Sequence, residues 1–587
     1  MLNSKKATMY PEAPDDKQLA QDFSKFFKEK INKISASFGG NEGEHPGTDS
    51  LPEPQCRSNL PAFRNVTSDE IKRFILSAPS KTCILDSCPT GLLKECVDEV
   101  SPFIAHMVNE SFEQGYVPRK MKEAIVTPIP KKPNKIEFAN FRPISNLPFL
   151  SKLMERIAVN QLSQYCESNS LEEPYQSAYR RGFSTETALL KITNDLLLNM
   201  DIKRVSILVL LDMSAAFDTI PHDMFLDRLQ HAFGLSGSAL KWFDSYFRNR
   251  QQRTVIKGEM SDIDLLEIGL PQGSGAGPFG YKAYTKPIGY LIRCLKLEIL
   301  YHMFADDNQL YNSLNPKSLA AQLTAKNNIE SCIAALSKWL HKNHLKLNEN
   351  KTELVIIGKR SHLSKMAYDS ISIGGEKIQA TSCAKNLGVH IDEELTMRQQ
   401  INSVVKSCNI QLRILWSIRQ FLDIESAKTL AISLVLSKLD YCNSLYYGLP
   451  NVLLNQLQRV QNSAARFVLN MRKSDHITEA LKSLHWLPVR FRIEYKVALI
   501  TFKTLNGTGP DYLRSLLDET PTPRLTRSKT PLKILRTKLE TAGDRSFSVA
   551  APTIWNNLPS HVTNSTSVPC FKKLLKTHLF KKAHFSN

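Results

Sequence analysis

Hydrophobic and polar positions along this chain follow two rhythms. From Leu19 to Ile34 the apolar residues Phe23, Phe26, Phe27, Ile31 and Ile34 fall at near-helical spacing, which predicts an amphipathic helix. Ser35 to Pro61 is rich in Gly, Ser, Pro and Glu and reads as a linker. Ser68 to Glu113 reads as helix broken at Pro79, Pro89 and Pro102. A strand follows over Ala124 to Pro130, then a helix from Phe149 to Tyr165 and another reaching Met200. Val205 to Leu211 is a nearly continuous apolar run, as expected of a strand buried on both faces. Leu240 to Arg248 carries Trp242, Phe243, Tyr246 and Phe247 and predicts a core helix, whereas Gln252 to Ile256 alternates like a strand. Leu319 to Lys342 is an amphipathic helix followed by the strand Leu354 to Ile357. Beyond Thr396 the pattern is helical: Ile401 to Phe421, Ser426 to Leu436, Leu454 to Leu469, and more between Asp475 and Thr504. The last helix sets Phe571, Leu574, Leu575, His578 and Leu579 on one face, with Lys572, Lys573, Lys576, Lys581 and Lys582 largely off it.

The interruptions in these patterns carry the chemistry. Strand-like runs, Leu297 to His302 and Gln309 to Tyr311, flank Met303 to Asn308, so Asp306 and Asp307 sit at the tip of a predicted hairpin. Adjacent carboxylates repel and favour protonation unless a cation lies between them. An acidic pair also fits a plain solvated turn. The apolar run Val205 to Leu211 ends at Asp212, which either caps a following helix or binds a ligand. Two strands delivering Asp212, Asp306 and Asp307 to one place would give three hard oxygen donors for two divalent ions, which in-line nucleotidyl transfer requires. Between them lies a Gly-rich loop, Gly269 to Pro278, able to bring backbone close to a ligand.

Composition narrows the classes. The 587 residues suffice for several domains, and 42% hydrophobic content supports a sizeable core. No apolar stretch is long enough to span a membrane, so no membrane partner is expected. The N-terminus shows no apolar h-region, so no secretory signal is expected. Eleven cysteines lack a metal-ligand rhythm; Cys83, Cys88 and Cys96 have no following His/Cys pair at zinc spacing, and reduced intracellular thiols are the default. The net charge of +19 suits a polyanion such as nucleic acid. Between Pro521 and Asn587 twelve Lys/Arg face only Glu540 and Asp544, a basic stretch that would also be stable as a solvated face.

The order Leu211-Asp212-Met213-Ser214-Ala215-Ala216-Phe217-Asp218, Leu270-Pro271-Gln272-Gly273-Ser274, then Phe304-Ala305-Asp306-Asp307 resembles motifs A, B and C of reverse transcriptases, in the variant of non-LTR (LINE-type) retrotransposons. Asn140 to Leu147 and Gln176 to Leu189 resemble fingers motifs of the same family, Leu345 to Glu353 resembles motif D, and Lys385 to Asp392 resembles motif E. Group II intron and telomerase-type polymerases match less well. The resemblance runs from about Leu19 to Phe580 and lacks an apurinic-type endonuclease ahead of the polymerase and a Cys/His knuckle behind it.

The resemblance implies an α+β right-hand polymerase of fingers, palm and thumb with a helical C-terminal region. The expected division is an N-terminal helix and linker (1–62), fingers and palm (63–375), a primer-grip hairpin and thumb (376–470), and a basic helical C-terminal region (471–587). The implied reaction is RNA-directed DNA polymerisation, adding dNTPs to a DNA 3'-hydroxyl on an RNA template. Two Mg2+ ions, with Mn2+ as the alternative, would be held by Asp212, Asp306 and Asp307. Lys351 would protonate the leaving pyrophosphate. Arg180 would bind triphosphate, which its fork matches. Phe217 would exclude a 2'-hydroxyl, and Gln272 and Gly273 would support template and nucleotide. Arg142, Leu387 and Gly388 fall to the template and primer. The partners implied are an RNA template, a DNA primer or target, dNTPs, and an endonuclease acting in trans. The location implied is intracellular, in the nucleus and in cytoplasmic ribonucleoprotein.

Motif B departs from the family's commonest pattern, an apolar pair, Gly-Pro and an apolar helix. Gly275 and Gly280 each cost a helix about 1 kcal/mol against Ala, and Lys282 stands where an apolar residue is expected. The alternative is therefore a catalytically inactive remnant that binds RNA or DNA without polymerising. In such a remnant, apolar residues restored at Gly275, Gly280 and Lys282 would rescue activity.

Overall fold

The computed structural model describes residues 9–38, 56–133, 135–214, 217–519 and 531–585. Most of the expected linker, Ala215 and Ala216 of motif A, the N-terminal residues, and Arg524, Arg527 and Lys529 of the basic stretch lie outside the described residues. The chain separates into two compact units. One comprises Met1–Glu173, Met213–Leu295 and Ala334–Asn348; the other comprises Pro174–Asp212, Lys296–Ile333 and Glu349–Asn587.

The first unit is built on a mixed sheet. Phe141–Asn146 pairs antiparallel with Glu123–Pro130, which pairs parallel with Arg250–Ile256; the latter also pairs with the short strands Glu259–Met260 and Asp264–Leu266. The predicted N-terminal helix forms as Asp16–Ala36, with Asp15 accepting from the Gln18 amide at its start. It buries Leu19, Phe23 and Phe27 against the sheet, and Phe23 meets Phe141 edge-on at 5.0 Å. Of the expected proline breaks, Pro79 and Pro89 lie between the helices Ser68–Ser77 and Thr90–Glu95. Pro102 breaks nothing and lies within the helix Val97–Gln114. The hydrogen bond it forfeits is outweighed by packing, because Ile104, Ala105, Val108 and Phe112 are buried along that helix.

The second unit centres on an antiparallel sheet in the order Glu353–Ile357, Val205–Leu211, Asp307–Leu314, Leu300–Phe304. The apolar run Val205–Leu211 occupies an interior position, which explains its lack of alternation. The first hairpin strand begins at Leu300 rather than Leu297, because Lys296 and Glu298 adopt positive φ ahead of it. The helix Thr185–Asp201, opened by a capping box between Ser184 and Thr187, covers the sheet. Its buried leucines join a core that continues through Arg398–Ser417, Asn451–Leu469, Val489–Leu505 and Val568–His584. Two helices expected to be continuous change pitch. The first ends at Ser417 before a short 3-10 turn, and the second widens to a π turn over Ile432–Leu436.

Candidate active site

The antiparallel ladder between Val205–Leu211 and Asp307–Leu314 places Leu211 opposite Asn308. One step further along the same ladder sets Asp212 beside Asp307. Phe304 pairs with Asp307, so Ala305 and Asp306 form a two-residue turn. Ala305 adopts φ +57°, a left-handed conformation costing a non-glycine residue of the order of 1 kcal/mol. Gln176 supports this turn from within the same unit. Its Oε1 accepts from the Ala305 amide at 3.1 Å and the Ala178 amide at 3.0 Å. The Ser177 amide donates to the Met303 carbonyl and the Met303 amide to the Tyr175 carbonyl, each at 2.9 Å. His302, wholly buried 2.8 Å from the Ser177 hydroxyl, has its pKa pushed down to about 3 by burial and then by Lys191, so it is neutral.

Asp212 does not cap a helix. The next helix is His222–Phe233, with Pro221 at its N-cap. Asp212 instead pairs with Lys351, Oδ2 to Nζ 3.1 Å. Asp307 has its pKa raised to about 6, first by the protein crowding it and then by repulsion from Asp306 and Asp212. Its surface is still open to solvent, so the repulsion is screened in part. Among the described residues no three His, Cys, Asp or Glu side chains lie close enough together to hold a metal ion as they stand. The donor chemistry nevertheless fits one: three hard carboxylates, two of which raise the pKa of the third, and whose repulsion a divalent cation relieves.

Asp212, Asp307, Lys351, Lys385, Leu387 and Gly388 line a recess of about 230 Å3. Leu387 and Gly388 form the turn between Cys383–Asn386 and Val389–Asp392, with φ +44° and +84°. Tyr441 donates its hydroxyl to the Leu387 carbonyl at 2.7 Å, and Gln309 donates to Asn386 at 3.2 Å, tying this turn to the acidic strand. Arg180 lies in the segment that supports the acidic turn. It donates to the Gln176 carbonyl at 3.2 Å and its guanidinium lies over Phe183 at 3.9 Å. The structure thus gathers Asp212, Asp307, Lys351, Leu387 and Gly388 around one recess, with Asp306 in the adjoining turn.

The remaining candidates belong to the first unit. Phe217 stacks on Tyr281 at 4.5 Å. Gln272 donates to Asp218 Oδ1 at 2.7 Å, and its carbonyl accepts from the Ser145 amide at 2.7 Å. Gly273, at φ +114°, lies so close to the Ser145 carbonyl that an added Cβ would come within 2.5 Å of it. Arg142 is exposed on the neighbouring strand, opposite Ile129. Lys282 is buried within the helix Gly277–Thr285, and its Nζ lies 2.6 Å from Glu172 Oε1. Gly280 packs where a Cβ would be 3.0 Å from Leu270 and 3.4 Å from Phe225. The motif B departures are therefore fitted to their surroundings, and apolar residues at these positions would disrupt packing rather than restore it.

Sequence reasoning gave no role to Gln176 or Tyr179. Tyr179, half-exposed at φ +59°, has its pKa raised by partial burial and then by the nearby Asp306 charge. Both lie within the block Gln176 to Leu189, but contact with a turn more than a hundred residues away leaves no local pattern. Asn386, which neighbours the predicted Leu387, was missed because its partner, Gln309, lies 77 residues away in the chain.

Residues 129–391 match the model of the reverse transcriptase (RNA-dependent DNA polymerase) family. Over those residues the chain carries a reverse transcriptase domain. That domain includes every candidate site residue from Arg142 to Gly388, and both units mix helices with sheets, an α+β class. The chain is 26% identical over 447 residues to a probable RNA-directed DNA polymerase from transposon BS of Drosophila melanogaster, covering 73% of this chain and 47% of that protein. It is 25% identical over 364 residues to the RNA-directed DNA polymerase from mobile element jockey of the same fly, covering 60% and 38%. It is 27% identical over 320 residues to a Pol polyprotein from the type-1 retrotransposable element R1 of Bradysia coprophila, covering 53% and 30%. The chain spans less than half the length of these curated relatives. Among solved structures, an apo telomerase from Candida tropicalis, truncated from its C-terminal domain, aligns with TM-score 0.33 and 12% identity, covering 47% of this chain and 54% of that one.

Proposed function

We propose that this chain is an RNA-directed DNA polymerase that extends a DNA 3'-hydroxyl with dNTPs on an RNA template. The observation that carries this reading is the pairing of Val205–Leu211 with Asp307–Leu314, which sets Asp212 beside Asp307 next to the turn bearing Asp306. Asp212, Asp306 and Asp307 would hold two Mg2+ or Mn2+ ions. Bound there, the ions supply Lewis-acid activation of the primer hydroxyl and stabilise the leaving pyrophosphate.

The chain's own residues do the rest. Lys351, its Nζ 3.1 Å from Asp212 Oδ2, is the residue that would donate a proton to the leaving pyrophosphate. Arg180 presents a guanidinium for the triphosphate from the segment that supports the acidic turn. Phe217, fixed against Tyr281, is the steric element that excludes a 2'-hydroxyl. Gln272 and Gly273 support nucleotide and template, Arg142 the template, and the Leu387–Gly388 turn the primer end. The proposed division remains an N-terminal helix and linker (1–62), fingers and palm (63–375), a primer-grip hairpin and thumb (376–470), and a basic helical C-terminal region (471–587). The net charge of +19 supports nucleic acid as the partner. Nuclear and ribonucleoprotein location, and an endonuclease acting in trans, complete the reading.

The fitted ion pair of Lys282 with Glu172 and the close packing of Gly280 favour an intact enzyme over a decayed remnant. The test is primer extension on an RNA template with dTTP and Mg2+. An inactive wild-type chain that still binds the duplex would favour the remnant.

A further inference from the structure

Within the first unit the motif B loop is tied by the Ser145 amide on the Gln272 backbone carbonyl and by two acidic side chains. At one end, Asp218 accepts from the Gln272 side-chain amide, which fixes that amide's orientation and turns its carbonyl oxygen the other way. At the other end stands Glu155, from the helix Phe149–Ser168, with 1% of its surface exposed. Its Oε2 accepts from the Gly275 amide and its Oε1 from the Tyr246 hydroxyl at 2.9 Å. The Ala276 amide also stabilises its ionised form, and Arg250, itself 1% exposed, adds a favourable charge. Burial is the largest influence and leaves the carboxyl's pKa raised, against the lowering by Arg250, the Tyr246 hydroxyl and the Gly275 and Ala276 amides. Every hydrogen-bonding group named here is a donor, and a carboxylate is an acceptor throughout, so the surroundings are matched to the ionised form.

Gly275 is part of the same arrangement. A Cβ there would lie 3.2 Å from Glu155 Oε2 and 3.3 Å from Glu155 Cβ. The glycine that appears in sequence to weaken motif B is what lets a buried carboxylate reach the loop backbone.

We propose that Glu155 is a positioning residue of the nucleotide site, holding residues 271–277 through the Gly275 and Ala276 amides so that Gln272 and Gly273 present a fixed surface to the incoming nucleoside triphosphate. This inference rests on the polymerase reading for the identity of the nucleotide. Glu155 acts through the loop and does not touch the nucleotide. The two acidic anchors share the loop's short span, so loosening one frees the Gln272 side chain to turn, even with its backbone carbonyl on the Ser145 amide, and weakens nucleotide binding before it harms duplex binding.

The test uses the full chain with a dideoxy-terminated primer on an RNA template, Mg2+ and dTTP, and measures the Kd of dTTP in the ternary complex. Glu155→Gln keeps the shape but sets an NH2 against one of the present donors. Gly275→Ala is the second variant, which tests the contact through steric crowding and keeps the carboxylate. Glu155→Gln should weaken dTTP binding about tenfold, a loss of the size expected for one mismatched buried hydrogen bond. Gly275→Ala should weaken it several-fold, and the double variant should be no worse than Glu155→Gln, because both act on one contact. Duplex affinity should stay within about twofold. If both variants bind dTTP like the wild type while the wild type extends primers, the inference fails and the polymerase reading stands. A variant loss shared equally by dTTP and duplex binding would also overturn it, as a general effect on folding. A wild type that binds dTTP with the expected variant losses but never extends would overturn the polymerase reading alone. A wild type that does neither would overturn both.

Discussion

Lys282→Leu is the substitution the family pattern invites, and the structure predicts that it harms the protein. The Lys282 side chain is 6% exposed and Glu172 is 9% exposed, with their charged atoms 2.6 Å apart. Leucine would fill much of the lysine stem's volume against Phe279, whose ring lies 5.1 Å from the ammonium. It would also strand the Glu172 carboxylate. Removing one member of a buried pair costs about 3–5 kcal/mol. The low end of that range applies, because Lys286 also faces this carboxylate. At roughly 2 °C per kcal/mol for a large domain, the melting transition should fall by about 6 °C. Removing both charges, in Lys282→Leu with Glu172→Leu, leaves nothing unpaired and should return stability to about that of the wild type or above it. Differential scanning calorimetry on the full chain, following the transition that moves in the single variant, measures both effects. A Lys282→Leu chain that melts at or above the wild-type temperature would refute the reasoning, as would a double variant less stable than the single one.

Four further outcomes follow from the structure. Asp307, with an unfolded value near 3.9 and a folded value of about 6, holds its proton more tightly when folded. Its contribution to stability is therefore full below about pH 4 and lost as pH rises through about 6; in the metal-free chain, Asp307→Asn should raise the melting temperature at neutral pH and leave it little changed in acid. Metal binding needs the ionised carboxylate, so Mg2+ affinity by calorimetric titration should fall as pH drops through about 6. Gly280→Val would force a side chain toward Leu270 and Phe225 and should destabilise by about 1–3 kcal/mol, read as a lower melting temperature with no gain in primer extension. Gln176→Ala leaves the Ala305 amide without its side-chain acceptor and should cost about 1–3 kcal/mol at the acidic turn; single-turnover extension should slow while duplex affinity by filter binding holds.

Local patterning carried much of this fold in plain view. Val205–Leu211 and Leu319–Lys342 form at the bounds their apolar rhythm predicts. The acidic turn was legible because a short polar break between strand-like runs has few conformations open to it, whereas the Leu387–Gly388 turn was expected only through the resemblance. The meeting of Asp212 with Asp307 was raised from the two apolar runs and made an expectation by the resemblance, but no local signal sets strand register across almost a hundred residues. Pro102 misled because its cost is local while the packing that overrides it is not. Lys282 and Gly275 misled in the same way. Their partners, Glu172 and Glu155, lie more than a hundred residues away, and each looked like a defect when seen without its partner.

The most direct test of the account is extension of oligo(dT) on poly(A) by the full chain with Mg2+ and dTTP, beside an Asp306→Ala control. The account predicts incorporation by the wild type and none by the control, with both binding the duplex equally and losing it alike as salt rises. Incorporation by the control at the wild-type rate would contradict the assignment of the acidic turn. A wild type that binds the duplex but does not extend it would contradict the claim that this chain polymerises.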